Sequence, residues 1–454
     1  MKIPQFANQP GTPQNLRVAV VYRRLSELKP FEKNPRQHSP RQIRQIERSI
    51  ATFGFIVPIL VDGGLKILAG HGRQLAAKGL GWTEVPTICV DHLTGPQARA
   101  FVIADNRLTE NSKWDDILLA EQLKELSALD LDFSLEVMGF EMGEIDFRVE
   151  GLNAKPDALS DPADEIQPKV ALPPVAQLGD LWLLNQHRLY CGSGLDASAL
   201  ALLMGEDRAA MVFTDPPYNV RINGHVSGLG KIHHGEFLMA CGEMTRPQFT
   251  DFLTTACSLM ARHTVDGSIH MVCMDWRHSA ELLAAGGAVY SELKNICVWV
   301  KSNAGMGSQY RSQHEFVFIF KFGHAPHQNN IELGRFGRNR SNVWSYPGVS
   351  NFGKAGEEGN LLALHPTVKP VALVADAILD SSARGEIVLD AFLGSGTTII
   401  AAERTGRRCY GVELDPLYFD IIVRRWQKYT GGIAIHAGSG EAYNARTDGG
   451  NHAV

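Results

Sequence analysis

The residues best placed to do chemistry lie between positions 210 and 219, Ala-Met-Val-Phe-Thr-Asp-Pro-Pro-Tyr-Asn. Met211-Val212-Phe213 predicts a buried strand, and the two prolines forbid further ladder pairing, so the strand stops abruptly at Asp215. Asp215, Pro216, Pro217 and Tyr218 then form a rigid polar turn at a strand's carboxyl end, where open α/β sheets bind their ligands. Taken alone, the same four residues also make an ordinary proline turn. A second such place lies near the end of the chain. Ile387-Val388-Leu389-Asp390 predicts another buried strand ending in an acid, and Ala391 to Thr398 turns sharply into a helix over Ile399 to Thr405. Gly394 and Gly396 there allow a ligand to approach the backbone closely. The strand Cys409 to Val412 ends in Glu413, about 20 residues beyond the glycine turn, the distance at which dinucleotide folds offer an acid to ribose hydroxyls.

A third region is basic and aromatic. Between Lys301 and Trp344, the cations Lys301, Arg311, Lys321, Arg335, Arg338 and Arg340 outnumber Glu315 and Glu332, with Tyr310, Phe336, Trp344 and Tyr346 interleaved. That mixture suits a DNA groove, the plain alternative being a solvated loop. Phe316 to Phe320 predicts a core strand within it.

The elements around these residues alternate. A hairpin over Gly179–Leu184 and His187–Gly192 leads into the Asp215 strand, followed by a helix (Pro247–Arg262), a strand (Ser268–Cys273), a helix (Ser279–Ala285) and a strand (Leu293–Val300). This is the βαβ rhythm of a mostly parallel sheet. Residues Arg221 to Met244 read as a mobile loop whose His225, His233 and His234 are solvated rather than metal-binding. Toward the amino terminus, Arg17 to Tyr22 predicts a strand. Ser39 and Pro40 open a helix that carries Ile43, Ile46 and Ile50 on one face and Arg41, Arg44 and Arg48 on another, and Gly54 ends it. Val57–Val61 and Lys66–Ala69 form a hairpin across Asp62-Gly63-Gly64, and Gly70-His71-Gly72-Arg73 feeds a short helix. Trp114 to Leu129 predicts a further helix. Residues 151–177, rich in proline, alanine and aspartate, read as a flexible linker.

With 454 residues, 44% hydrophobic and 20% charged, the chain can build two or three globular domains. A net charge of −5 excludes a wholly basic coat, so nucleic-acid contacts must come from local patches. Seven cysteines without a Cys-x-x-Cys pair suit reduced thiols and offer no zinc site. No apolar run approaches the roughly 18 residues of a membrane span, so a soluble, cytoplasmic protein is expected.

Asp215-Pro216-Pro217-Tyr218 resembles the catalytic motif of amino-group DNA methyltransferases, which methylate adenine N6 or cytosine N4. Asp390-x-Phe392-x-Gly394-Ser395-Gly396-Thr397 resembles their S-adenosylmethionine motif, and His365-Pro366-Thr367-Val368-Lys369-Pro370 their other cofactor motif. Lys301-Ser302-Asn303 and Tyr310 to Glu315 resemble later motifs of the same group. The order of motifs is that of the permuted β group, over about residues 177 to 440.

The resemblance implies roles. Asp215 and the Pro216 carbonyl accept the two hydrogens of the target amine, Tyr218 stacks on the flipped base, and Lys369, His365 and Glu413 join the glycine turn in holding S-adenosylmethionine, with no metal. Asp at the head of the tetrapeptide favours adenine N6. Cytosine N4 is the alternative, and a non-catalytic DNA-binding partition or regulatory protein is the alternative of another class. Lys301, Arg311, Arg335, Arg338 and Arg340 are the expected DNA contacts, with target recognition over residues 324–360 and double-stranded DNA as partner.

The first domain resembles ParB and sulfiredoxin-like domains, through Asn34-Pro35-Arg36, the Gly70 to Arg73 turn and Ala104-Asp105-Asn106-Arg107. His71 and Gly72 stand where the partition proteins have the Glu and first Arg of a Gly-Glu-Arg-Arg box, which speaks against nucleotide hydrolysis; nucleotide binding and homodimerisation stay open. The expected fold is a Rossmann-like α/β methyltransferase domain over residues 178–444, preceded by a small α+β domain over 16–150 and the linker, with tails at 1–15 and 445–454.

Overall fold

The computed structural model describes residues 18–32, 34–129, 131–152, 161–164, 173–220, 240, 242–302, 310–331, 338–346 and 368–449. They fall into two compact units, divided between Glu141 and Met142.

The first unit is a four-stranded sheet with helices. Its strands are β1 (Val20–Arg24), β2 (Ile59–Val61), β3 (Ile67–Ala69) and β4 (Glu84–Cys89), in the order β1-β4-β2-β3. The helices are α1 (Pro40–Phe53), α2 (His71–Gly79), α3 (Gly95–Glu110) and α4 (Asp116–Ser127). Helix α1 starts where its sequence says it should. The Ser39 hydroxyl accepts from Gln42 N at 3.2 Å, and Gly54, at φ 83°, ends the helix in a conformation few side chains tolerate. Strands β2 and β3 form the expected hairpin, and Leu28, Ile59, Val61, Ile67, Ala77 and Val85 make the small core.

The second unit holds β5 (Leu181–Leu184), β6 (His187–Cys191), β7 (Ala209–Thr214), β8 (Thr264–Met274), β9 (Glu292–Val300), β10 (His314–Lys321), β11 (Val343–Ser345), β12 (Ile387–Asp390), β13 (Arg408–Glu413) and β14 (Ile435–His436). Its helices are α5 (Met142–Gly151), α6 (Ala197–Met204), α7 (Arg246–Ala261), α8 (Ser279–Val289), α9 (Val371–Ser381), α10 (Thr397–Thr405), α11 (Pro416–Thr430) and α12 (Tyr443–Gly449). All ten strands join one sheet in the order β11-β9-β10-β8-β7-β12-β13-β6-β5-β14.

Strand β7 lies deep in that sheet, parallel to both neighbours. Its residues alternate between two cores: Met211 and Phe213 pack with α9, α10 and α11, whereas Val212 packs with α6 and α7. Such double burial is why its sequence reads as a continuous apolar run. The sheet is mixed rather than mostly parallel. Strand β10 runs antiparallel to both β8 and β9, and the hairpin β5–β6 and strand β14 add two more antiparallel pairs. The alternation of helix and strand hid this, because β9 and β10 follow each other with no helix between them among the described residues.

Helix α5 belongs with the second unit. Asp146 and Arg407, both fully buried, meet through two bonds of 2.9 and 2.7 Å, and Arg384 adds a third partner at 2.9 Å. The described parts of residues 151–177, expected as a linker, are fastened down. Asp161 binds Arg404 at 2.7 Å, Asp164 accepts from Val371 N at 2.7 Å, and the backbone N–H groups of Val175 and Ala176 donate to Asp420. Two of the aspartates behind the linker reading, Asp161 and Asp164, are among its anchors.

Candidate active site

Strands β7, β12 and β13 are adjacent and parallel, so Asp215, Asp390 and Glu413 come to the same end of the sheet although far apart in sequence. The first two turns are joined directly: Thr214, the last residue of β7, donates its hydroxyl to Asp390 at 2.8 Å.

Around Asp215 the structure assembles two carboxylates, two ammonium groups and a phenol. Lys369 Nζ lies 2.5 Å from Asp215 Oδ2 and 3.0 Å from Glu315 Oε2. The Tyr218 hydroxyl sits 2.6 Å from Asp215 Oδ1 and 3.2 Å from Glu315 Oε2; with one hydrogen to give, it bonds to the nearer. Lys301 pairs with the other oxygen of Glu315. The indole of Trp299 lies beneath both cations, 4.8 Å from Lys301 Nζ and 5.9 Å from Lys369 Nζ. Strand register explains the grouping, since Glu315 on β10 stands opposite Trp299 on β9.

Formal charges in the cluster cancel, which is what allows Lys369 and Glu315 to be 4% and 6% exposed. Burial alone would lower the Lys369 pKa, but the two carboxylates hold it above the usual lysine value. The two lysines carry Glu315 down to about 2 against the pull of burial. Asp215 is pushed up, first by burial and then by the neighbouring Glu315 charge, with Lys369 opposing. Lys369, expected among the cofactor ligands, and Lys301, expected among the DNA contacts, both pair with the carboxylates. Glu315, read in the sequence only as a minority anion of the basic stretch and as part of a motif, pairs with both lysines.

The second half of the site is the turn after β12. Asp390 accepts from Thr214, from Phe392 N at 3.0 Å and from the Thr398 hydroxyl at 2.7 Å, which tie the turn to its strand. Gly394 and Gly396 take φ of 54° and 80°, and a Cβ on Gly396 would lie 2.8 Å from Ile422. Ser395 and Thr397 are buried in the turn. Glu413 accepts from Gly394 N at 2.8 Å and from Asp415 N at 2.9 Å, one bond to each oxygen. A carboxylate has about four acceptor sites, so Glu413 retains capacity for two further donors such as a pair of hydroxyls. Burial pushes Glu413 up to about 7 and Asp390 up to about 6.

A raised carboxyl pKa stabilises the fold below the unfolded value near 4.3, and that contribution is lost as pH climbs through the folded value. Glu413→Gln therefore loses one backbone acceptor but also the pH slope. Thermal denaturation of the two proteins between pH 4.5 and 8 is expected to show the melting-temperature difference moving in the variant's favour as pH rises. Parallel curves would contradict the assignment.

The remaining expected residues are scattered. Arg338 and Arg340 do not offer free cations: Arg338 Nη2 lies 2.6 Å from Asp380, and Arg340 pairs with Asp376 at 2.9 Å and with Asp380 at 2.8 Å. Both acids are on α9, so the two arginines expected to contact DNA are engaged within the protein here. Arg311 is exposed. Arg335, His365, residues 347–360 of the expected recognition segment, and His225, His233 and His234 lie outside the described residues.

Sequence reading missed Trp276 and Arg277, just past the carboxyl end of β8. The Trp276 ring is 51% exposed, its Nε1 donates to Ser312 at 3.1 Å, and the Arg277 guanidinium lies 5.3 Å from the ring centre. Tyr310 is 84% exposed in the next loop at that end of the sheet. It also missed Asn219. Its side-chain oxygen accepts from Gly242 N and Met244 N, and its amide donates to Met244 O at 2.9 Å, pinning residues 242–244 to the Asp215 turn.

Comparison with known proteins gives three matches along the chain: a ParB N-terminal domain over residues 12–107, a ParB-methyltransferase HTH domain over 117–178 and a DNA methylase over 209–424. The ParB-like nuclease domain-containing protein YnaK of Escherichia coli (strain K12) is 43% identical over 81 residues, which are 18% of this chain and 93% of that protein. Type II methyltransferase M2.MboI of Moraxella bovis is 26% identical over 238 residues, covering 48% of this chain and 81% of that one. Among solved structures, PvuII DNA methyltransferase (cytosine-N4-specific) aligns with a TM-score of 0.42 at 15% identity, covering 60% of this chain and 94% of that one. The HTH match begins inside α4 and runs through α5, where the sequence had shown one helix and then linker.

Proposed function

The chain is a DNA methyltransferase of the N6/N4 family with a ParB N-terminal domain ahead of it, and from that premise we propose that it transfers a methyl group from S-adenosylmethionine to the exocyclic N6 of adenine in double-stranded DNA. One observation carries the reading: the Asp-Pro-Pro-Tyr turn and the glycine turn stand on neighbouring parallel strands, joined by the Thr214–Asp390 bond. S-adenosylmethionine, when bound, supplies an electrophilic methyl on a sulfonium. The residues present fit it, with glycines that let a ligand lie against the 394–397 turn and with spare acceptor capacity on Glu413 for ribose hydroxyls.

An exocyclic amine is a poor nucleophile because its lone pair is delocalised into the ring. Acceptors that pull on both hydrogens draw the nitrogen toward tetrahedral geometry and bare that lone pair. Asp215 and the Pro216 carbonyl do this, and the prolines present no competing donor. The Tyr218 ring offers a stacking face that offsets part of the few kcal/mol lost when the base leaves the duplex. Trp276, Arg277, Tyr310 and Arg311, at the same end of the sheet, supply aromatic and cationic contacts to the strand. Among the described residues, no group of acids, histidines and cysteines could hold a metal, and no helix is long and apolar enough to cross a membrane. A cytoplasmic location is part of the proposal.

Adenine is preferred because Asp leads the tetrapeptide. Nucleoside analysis of unmethylated DNA incubated with the protein and S-adenosylmethionine is expected to reveal N6-methyladenine. N4-methylcytosine would overturn the base assignment, and an unmodified product with intact DNA binding would favour a non-catalytic regulatory protein.

A further inference from the structure

Helix α9 begins two residues after Lys369, and its own sequence cannot cap it. Its N-cap is Pro370, which makes no side-chain capping bond. The first turn of a helix nonetheless exposes backbone N–H groups that need acceptors, and Val371 is fully buried, out of reach of water. The acceptor comes from 207 positions upstream: Asp164 Oδ1 receives Val371 N at 2.7 Å. Asp164 is itself only 4% exposed, and its carboxylate lies at the positive end of the helix dipole.

The residue before it reaches the other half of the site. Arg425, 3% exposed on α11, donates through Nη2 to Ala163 O at 2.8 Å and through Nη1 to Ser395 O at 2.9 Å. One buried guanidinium therefore spans the segment and the glycine turn. Asp161 completes the set, holding Arg404 of α10 by two bonds of 2.7 Å. Three of four consecutive residues are thus bonded to α9, α10 or, through Arg425, the turn between β12 and α10. All four lie outside the DNA methylase match and inside the HTH match.

We propose that Asp161–Asp164 is a positioning strap of the methyl-transfer site, in which Asp164 fixes the helix start that presents Lys369 to Asp215 and Ala163 fixes, through Arg425, the turn that receives S-adenosylmethionine. The strap deepens the methyl-transfer reading and rests on it. It makes the end of the HTH-matched region a structural part of the methylase, so a methylase cut at residue 178 lacks a cap and a brace. Asp164 and Asp161 act only through other residues, and neither touches the reacting groups.

The test uses the full chain with Asp164→Ala, Asp164→Asn and Asp161→Ala. Two readouts are followed, calorimetric binding of S-adenosylhomocysteine and hydrogen exchange of the amides of residues 371–374 and 395–398. Asp164→Ala is expected to weaken binding roughly tenfold, the equivalent of one lost hydrogen bond, and to speed exchange in both segments. Asp164→Asn keeps an acceptor for Val371 N and is expected to return both readouts toward the parent. Should Asp164→Ala not fold, Asp161→Ala, whose partner is half-buried rather than fully enclosed, carries the test with the same direction of change. Binding within about twofold of the parent and unchanged exchange at residues 395–398 in the folded variant would overturn the strap. A parent chain that binds S-adenosylhomocysteine but transfers no methyl would overturn the methyl-transfer reading instead, and the exchange comparison would still decide whether the strap holds the two segments.

Discussion

Asp215→Ala is expected to reduce methyl transfer by at least roughly 10²–10³-fold, the usual cost of removing a group aimed at the developing charge of a transition state. Binding of S-adenosylmethionine is expected to persist, because Asp390, Glu413 and the glycine turn make their bonds without Asp215's side chain. The variant has a reason to stay folded: Lys369 keeps Glu315 at 3.0 Å and so is not left as an isolated buried charge. Tritium transfer from labelled S-adenosylmethionine to DNA, set beside equilibrium binding of the same cofactor, separates the two effects. A variant that transfers within tenfold of the parent would remove Asp215 from the chemistry.

Lys369→Met is the second large effect, and it acts by a different route. Removing the ammonium leaves Asp215 and Glu315 buried together with only Lys301, on the far oxygen of Glu315, to offset them, a loss on the order of 3–5 kcal/mol for breaking a buried ion pair. Two carboxylates so placed cannot both ionise easily, so the Asp215 pKa rises further. Because the proposed reading has an ionised Asp215 accept from the amine, the variant's transfer rate is expected to collapse at neutral pH and partly recover as pH is raised. Stability should move the opposite way. A raised carboxyl pKa favours the fold at low pH, and the advantage fades as pH climbs through the new value. In the parent, Lys369 has a raised pKa, and its contribution stays whole until pH exceeds the unfolded lysine value of about 10.4. Superimposable pH–rate and pH–stability profiles for the two proteins would show that Lys369 does not govern Asp215.

What could be read in the chain was what is local. The β7 run, the Pro-Pro stop, the glycine turn and Glu413 are set by neighbours in sequence, and each element formed within a few residues of expectation. Ser39, Pro40 and Gly54 bounded α1 for the same reason. What could not be read depends on partners far away. Nothing near Arg338 and Arg340 in sequence announces that Asp376 and Asp380, about one turn apart on a helix, pair with them. Lys301 and Glu315 needed the β9–β10 register to meet, and that antiparallel pairing is what the helix-strand rhythm concealed. Asp161 and Asp164 looked like linker acids because nothing nearby in sequence announces Arg404 or the N–H of Val371.

The order of the strands also has a consequence for synthesis. Strand β7 can pair with β8 as soon as the next helix is made, but its other edge waits for β12, nearly 180 residues downstream. A chain leaving the ribosome therefore carries the Asp215 turn long before it carries Asp390 or Glu413. Through that interval β7 has an unpaired apolar edge, the kind of surface that recruits other strands. Until β12 and β13 arrive the site around Asp215 is incomplete, and what must be guarded meanwhile is aggregation.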